Sequence, residues 1–197
     1  MKFSRNGLTV IAFLLAFSSS QAQIKLPFTD NDLRNNLQKV LADYPHQFSS
    51  LISDTLMDNV QTIEFASHLH FAGALDNSIT QYKSSKPIYS WKAILLSSEE
   101  FEEAASKYRW LFNQLKVMTV TLDGGYSFTF SGDYDEADES RKFSSSILSL
   151  TPGALGMPRL KVEASLQFEF PEWKVSLLVY EKEREDSERG NIHESER

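Results

Sequence analysis

Two histidines separated by one leucine have the spacing in this sequence that could most readily bind a metal ion. His68 and His70 are two of only four histidines in the chain. Apolar and polar residues alternate through residues 61–73, which predicts a β-strand with both histidines on one side, about 6.6 Å apart. Zinc can bind such a pair, but a zinc site in a protein needs further ligands from neighbouring elements.

The sequence does not identify a third ligand for this pair. Glu64 would lie on the same side of the strand, but about 13 Å from His68. His46 and His193 fall in a predicted helical region and in the C-terminal tail. We therefore interpret His68 and His70 as exposed imidazoles on a half-buried strand, keep them as metal-ligand candidates, and predict no cofactor.

An acidic segment at residues 133–139 is the second candidate for metal binding. It contains Asp133, Asp135, Glu136, Asp138 and Glu139. Calcium requires six to eight oxygen ligands on a shaped loop, and the EF-hand spacing of glycine and terminal glutamate is not present. A solvated hairpin tip is the favoured interpretation.

Several catalytic chemistries are excluded by residue type or motif. The chain contains no cysteine, which excludes disulfides, thiolate nucleophiles and thiolate zinc sites. It has no G-x-S-x-G elbow and no glycine-rich phosphate loop. A pair of catalytic carboxylates depends on three-dimensional spacing, and nothing in the sequence singles one out.

Aromatic residues at alternating positions form the last candidate site, because they could stack on a ligand. They fall on the inward side of their predicted strands, so we interpret them as core. Trp110 lies off the main apolar stripe of its helix, where exposure beside Arg109 would indicate a contact surface. The alternating set is Tyr126, Phe128, Phe130, Phe168, Phe170 and Trp173.

The elements that would position these residues begin with helices. A helix is predicted from Thr29 or Asp30, which can cap it, to Pro45, which ends it. A second short helix with Phe48, Leu51, Ile52 and Leu56 inward is predicted to follow. Later, Ser97 and Glu100 have the spacing of a capping box, and an apolar stripe then runs through residues 101–115.

The remaining elements are predicted strands, and residues 77–86 are predicted to be a polar turn. Successive strands joined by short turns pair antiparallel, and each has one apolar side. We therefore predict an α+β, two-layer fold with a mostly antiparallel sheet of about six strands and helices packed on one face. Two strands are expected before the capped helix, within residues 61–73 and 87–96, and four or five after it, within residues 117–122, 126–131, 143–150, 160–170 and 173–180.

The N-terminus has the features of a secretory signal peptide. Lys2 and Arg5 precede an apolar run at residues 7–17, which is shorter than the roughly 20 residues that span a bilayer. Small residues then lead to Ala22, which predicts cleavage near that position. Residues 1–22 are thus expected to be the signal, 23–180 a single domain, and 181–197 a charged, disordered tail.

The sequence predicts an exported bacterial protein, periplasmic or extracellular, without a transmembrane segment in its mature form. A formal net charge of −7 argues against nucleic acid as a partner. The favoured function is a non-catalytic binding domain whose partner is a protein or a cell-envelope component. The alternatives are a metal-dependent or carboxylate-based envelope hydrolase using His68 and His70, and a carrier of small apolar ligands that uses the aromatic set.

Overall fold

The computed structural model describes residues 30–71, 73–122, 124–153 and 159–181. The predicted signal at 1–22 lies outside the described residues, and so does the predicted tail apart from Glu181, which ends the last strand. No described helix is long and apolar enough to cross a membrane. The described helices and strands are α1 (Asp30–Asp43), β1 (Ile52–Asp58), β2 (Thr62–Ser67), β3 (Asp76–Tyr82), β4 (Ile88–Ser98), α2 (Phe101–Val117), β5 (Thr119–Leu122), β6 (Tyr126–Ser131), β7 (Phe143–Thr151), β8 (Leu160–Glu169) and β9 (Glu172–Glu181), with short 3-10 helices at Tyr44–His46 and Glu139–Arg141.

The strands form one antiparallel sheet built from two meanders. Its order is β1-β2-β3-β4-β9-β8-β7-β6-β5. β1 to β4 follow one another inward from one edge of the sheet, and β5 to β9 follow one another inward from the other edge. The two series meet where β4 pairs with β9. α2 connects β4 to β5 and packs against β4, β9, β8 and β6. The predicted α+β class and mostly antiparallel sheet agree with this architecture.

The predicted count of about six strands is wrong, because the described residues form nine. The predicted second helix is replaced by β1, whose apolar side chains Leu56 and Met57 are exposed rather than gathered on a buried stripe. The predicted turn at residues 77–86 contains most of β3, in which Ile79 is the one fully buried apolar side chain. Both strands lack the alternation that identifies a half-buried strand.

The helices follow the predicted apolar stripes, but α2 begins later than its motif indicated. Ser97 belongs to β4, which continues through Ser98 in pairing with β9. Ser98, rather than Ser97, makes the side-chain hydrogen bonds before the helix: its Oγ accepts the N–H of Glu100 at 3.1 Å and donates to the carboxylate of Glu103 at 2.5 Å. Strand pairing therefore displaces the helix start to Phe101.

A row of five buried side chains crosses the centre of the sheet on the side covered by the helices. Each residue in the row stands directly opposite the next, and each is 0–1% exposed. Tyr108 and Leu111 of α2 belong to the same buried cluster. The row consists of Ile79, Trp91, Val179, Val162 and Leu148.

The opposite side of these strands, which we call the outer face, has a mixed composition. It presents two adjacent rows of cross-strand neighbours, and most of their side chains are partly or fully exposed. In an antiparallel sheet with one solvated side, apolar residues normally face the core and polar residues face the water. The rows are Ser78, Lys92, Leu178, Glu163 and Ile147, and Thr80, Ser90, Tyr180, Lys161 and Ser149.

Candidate binding groove on the outer face

The histidine pair lies beyond the strand that was expected to contain it. β2 ends at Ser67, so His68 and His70 occupy the following loop, although the N–H of His68 still donates to the carbonyl of Leu51 at 2.7 Å. Both imidazoles are exposed, while the intervening Leu69 is buried. The predicted alternation of exposure is present without the strand geometry that would fix the distance between the rings.

Within the described ranges, no group of three or more histidine or carboxylate side chains is arranged to hold a metal ion. His68 and His70 therefore gain no additional ligand there, and their role as a metal pair stays a prediction. Metal analysis of the purified protein beside a His68→Ala, His70→Ala variant would detect such a site as a difference in bound metal.

The acidic segment is packed against the covered side of the sheet rather than projecting as a solvated tip. Tyr134 is half-buried, with its ring 5.3 Å from that of Tyr108. The carboxylate of Asp135 accepts the N–H of Ser145 at 3.1 Å and pairs with Arg141 at 3.0 Å. These bonds give the carboxylate a structural role in holding the segment beside α2.

Hydrogen bonds of the Tyr108 and Ser146 hydroxyl groups hold the acidic segment in place, so removing the Tyr108 hydroxyl should destabilise the protein. Tyr108 donates to the carbonyl of Asp135 at 2.9 Å and contacts the hydroxyl of Ser146 at 2.6 Å, and Ser146 accepts the N–H of Asp135. We expect Tyr108→Phe to lower the free energy of unfolding by about 1–3 kcal/mol, because buried polar atoms lose partners. Urea denaturation measures this loss. Tyr126→Phe, at a side chain that is 61% exposed, is the control, and an equal effect of both substitutions would contradict the explanation.

The predicted aromatic set is divided between core and surface. Phe128, Phe130 and Trp173 are buried, and the ring of Phe168 lies 5.1 Å from that of Trp173. Tyr126 and Phe170 are 61% and 89% exposed, so the expectation that the whole set points inward is wrong. Trp110 is half-buried and has the ammonium of Lys107 over its ring at 3.9 Å.

A groove of about 410 Å³ opens on the outer face near one end of β3, β4 and β9. Ser90 lies between larger side chains, since it stands directly opposite Tyr180 and two residues from Ile88, which pairs with Tyr82. The small serine leaves space at the centre, and the tyrosines stand on strands to either side of β4. We call this the outer-face groove; it is lined by Tyr82, Ser84, Ile88, Ser90, Glu163, Leu178, Tyr180 and Glu181.

Glu163 is the carboxylate held most firmly at the outer-face groove. One of its oxygens accepts a hydrogen bond from Tyr180 at 2.7 Å, and the other accepts one from Ser145 at 2.6 Å. Burial of the ring, followed by the hydrogen bond and charge of Glu163, raises the pKa of Tyr180 above its ordinary value. Tyr180 therefore remains a neutral donor over the physiological pH range, and Glu163 keeps a fixed orientation.

A second cavity, of about 470 Å³, lies at the same end of the sheet between the C-terminal end of α1 and the ends of β4 and β9. Arg159 and Glu181 line it and form an ion pair at 3.4 Å. Burial, and secondarily the charge of Glu181, raises the pKa of Tyr44 to about 12. The opposite charges here partly neutralise each other, so the outer-face groove offers the more defined electrostatic character.

Sequence reasoning did not single out any residue of this groove as a candidate site. The two-residue period of β8 correctly placed Glu163 on the side away from the apolar residues. Tyr82 was assigned to a turn, and Ser90 is informative only once its cross-strand neighbours are known. Tyr82 could have been noticed in the sequence as an aromatic residue within an otherwise polar segment.

Compared with models of protein families, with curated proteins and with solved structures, the chain matches none of them. The outer-face groove is therefore interpreted from its own geometry and charge.

Proposed function

We propose that this protein is an exported, non-catalytic binding domain whose partner, a protein or another envelope component, contacts the outer-face groove. The observation that carries the proposal is a cavity of about 410 Å³ on the sheet side opposite the core, with tyrosine and aliphatic walls and a fixed carboxylate. Binding sites commonly combine an apolar lining with a few oriented polar groups. The export step rests on the N-terminal pattern alone.

The groups in the outer-face groove suit recognition better than proton transfer. Tyr180 has a raised pKa, so its phenol stays protonated and donates to Glu163. Both oxygens of Glu163 accept hydrogen bonds from neutral hydroxyls, which orient the carboxylate. A general base needs a free path to the proton that it removes. These groups instead present a shaped surface of fixed polarity.

Site-specific photo-crosslinking in the cells that produce the protein tests this proposal. A photoreactive phenylalanine analogue replaces Tyr82, which is 47% exposed at the groove, and in a matched variant replaces the exposed Glu102 of α2. We expect a discrete adduct from position 82, and its loss when Ser90→Trp is added to fill the groove. The same adducts from both positions, or an adduct that persists in the filled variant, would contradict the assignment of the groove.

Export is tested separately, by fractionation and N-terminal sequencing. We expect the protein outside the cytoplasm with Gln23 as its first residue, as the sequence pattern of the signal predicts. A cytoplasmic protein that retains residues 1–22 would overturn the export step and leave the groove assignment to the crosslinking result.

A further inference from the structure

We propose that the outer-face groove receives an arginine or lysine side chain from a partner protein, with Glu163 as its counter-ion and the tyrosines as flanking rings. This inference rests on the proposed function and adds the chemistry of the contact. It follows from the charge at the groove, from the bonds that fix that charge, and from the residue types on either side.

The charge of Glu163 is oriented but not neutralised. Its hydrogen-bond partners, Tyr180 and Ser145, are both uncharged. Within the described part of the chain, no lysine, arginine or histidine forms an ion pair with it. Glu181 also lines the groove but pairs with Arg159 at 3.4 Å, so Glu163 is the carboxylate of the groove that has no ion pair among the described residues. A cation arriving with a partner would find a counter-ion already fixed, which lowers the entropic cost of pairing.

The side walls of the groove suit a cation with an apolar stem. Tyr82 lies on β3 and Tyr180 on β9, with Ser90 and Ile88 of β4 between them. Guanidinium and ammonium groups bind favourably over tyrosine rings, and the methylene stems of arginine and lysine pack on aliphatic surface. Leu178, at the same groove, provides such a surface.

The lysines on the outer face leave this carboxylate available. Lys161 stands opposite Tyr180, but its ammonium donates to Ser149 on β7 at 2.7 Å. Lys92 stands opposite Leu178, and its charge acts on Glu169. Neither lysine lines the groove.

A pair of peptides that differ in one charge tests the inference. The probes are an acetylated Gly-Leu-Arg-Leu-Gly amide and the same peptide with citrulline, the neutral isostere of arginine, titrated into isotopically labelled protein by NMR. We expect shifts at Ser90, Leu178 and Tyr180, and binding of the arginine peptide at least about fivefold tighter than that of the citrulline peptide. Glu163→Gln should abolish the difference, whereas Glu102→Gln, which removes the same charge from α2, should preserve it.

The outcomes separate this inference from the proposed function. If both peptides shift the groove resonances with equal affinity, the cation requirement is overturned and the groove remains a binding surface. If neither peptide shifts them, the inference is overturned, and the crosslinking at Tyr82 decides the proposed function independently. If Glu102→Gln reduces the preference as much as Glu163→Gln does, the effect is one of net charge and the role of Glu163 is refuted.

Discussion

Replacement of Trp91 by alanine should lower the free energy of unfolding by about 3–5 kcal/mol, because it removes the largest side chain from a fully buried central position. Trp91 is 0% exposed, lies between Ile79 and Val179 in the buried row, and packs its ring 5.3 Å from that of Phe71. Domains of this size are stable by about 5–15 kcal/mol, so the variant should lose a large fraction of its stability. Chemical denaturation monitored by far-UV circular dichroism measures the loss.

Trp91→Phe is the matched control for this prediction. The indole Nε1 of Trp91 is buried and has no hydrogen-bond partner among the described residues. Its removal therefore breaks no hydrogen bond to that part of the chain. We expect a cost below about 2 kcal/mol, since part of the lost packing is offset by removing a buried polar group. If Trp91→Phe were as damaging as Trp91→Ala, the indole nitrogen would have an important partner and the packing explanation would fail.

Gly132→Ala should destabilise the protein by about 1–3 kcal/mol or more, because the added methyl group has no room. A Cβ at Gly132 would lie 2.3 Å from the carbonyl oxygen of Ile147 and 3.1 Å from the Cα of Leu148. Both atoms belong to the backbone of β7, which cannot move without disturbing its pairing with β8. Thermal unfolding followed by calorimetry would report the loss as a lower midpoint.

Gly153→Ala provides the comparison at a glycine with free space. A Cβ there meets no atom of the described residues within 4 Å, and Gly153 is exposed. We expect a change within about 0.5 kcal/mol, as for most surface substitutions. Equal destabilisation by both substitutions would mean that β7 yields to the added methyl group and that crowding at Gly132 is not the cause.

Periodicity predicted the elements that bury one side and failed for those that do not. The stripe of α2 and the alternation of β8 were identified because burial constrains every second or every third to fourth residue. β1 is an edge strand with five exposed residues in succession, so burial imposes no pattern on it. β3 lies inside the sheet, yet the polar residues Asn77 and Gln81 share the side of the buried Ile79, so apolar and polar residues do not alternate along it.

The candidate site was harder to predict, because it depends on cross-strand registers. The outer-face groove combines Tyr82, Ser90, Glu163 and Tyr180 from β3, β4, β8 and β9, two pairs of strands that lie far apart in the chain. No local pattern states that Ser90 stands opposite Tyr180. The histidines stood out because only Leu69 separates them, and closeness in sequence is the property that sequence inspection detects most easily.

The meeting of the two meanders also bears on how the chain folds. β1 to β4 can pair through local turns, whereas β4 must wait for β9, the last described strand, before its second edge is covered. Pairing over such a long intervening segment carries a high loop-closure entropy and slows folding. Trp91, Ala93 and Leu95 on β4 therefore lie beside an open strand edge until β9 has paired. An unpaired strand edge can pair with another chain, so covering of β4 by β9 also protects the folded sheet from aggregation through that edge.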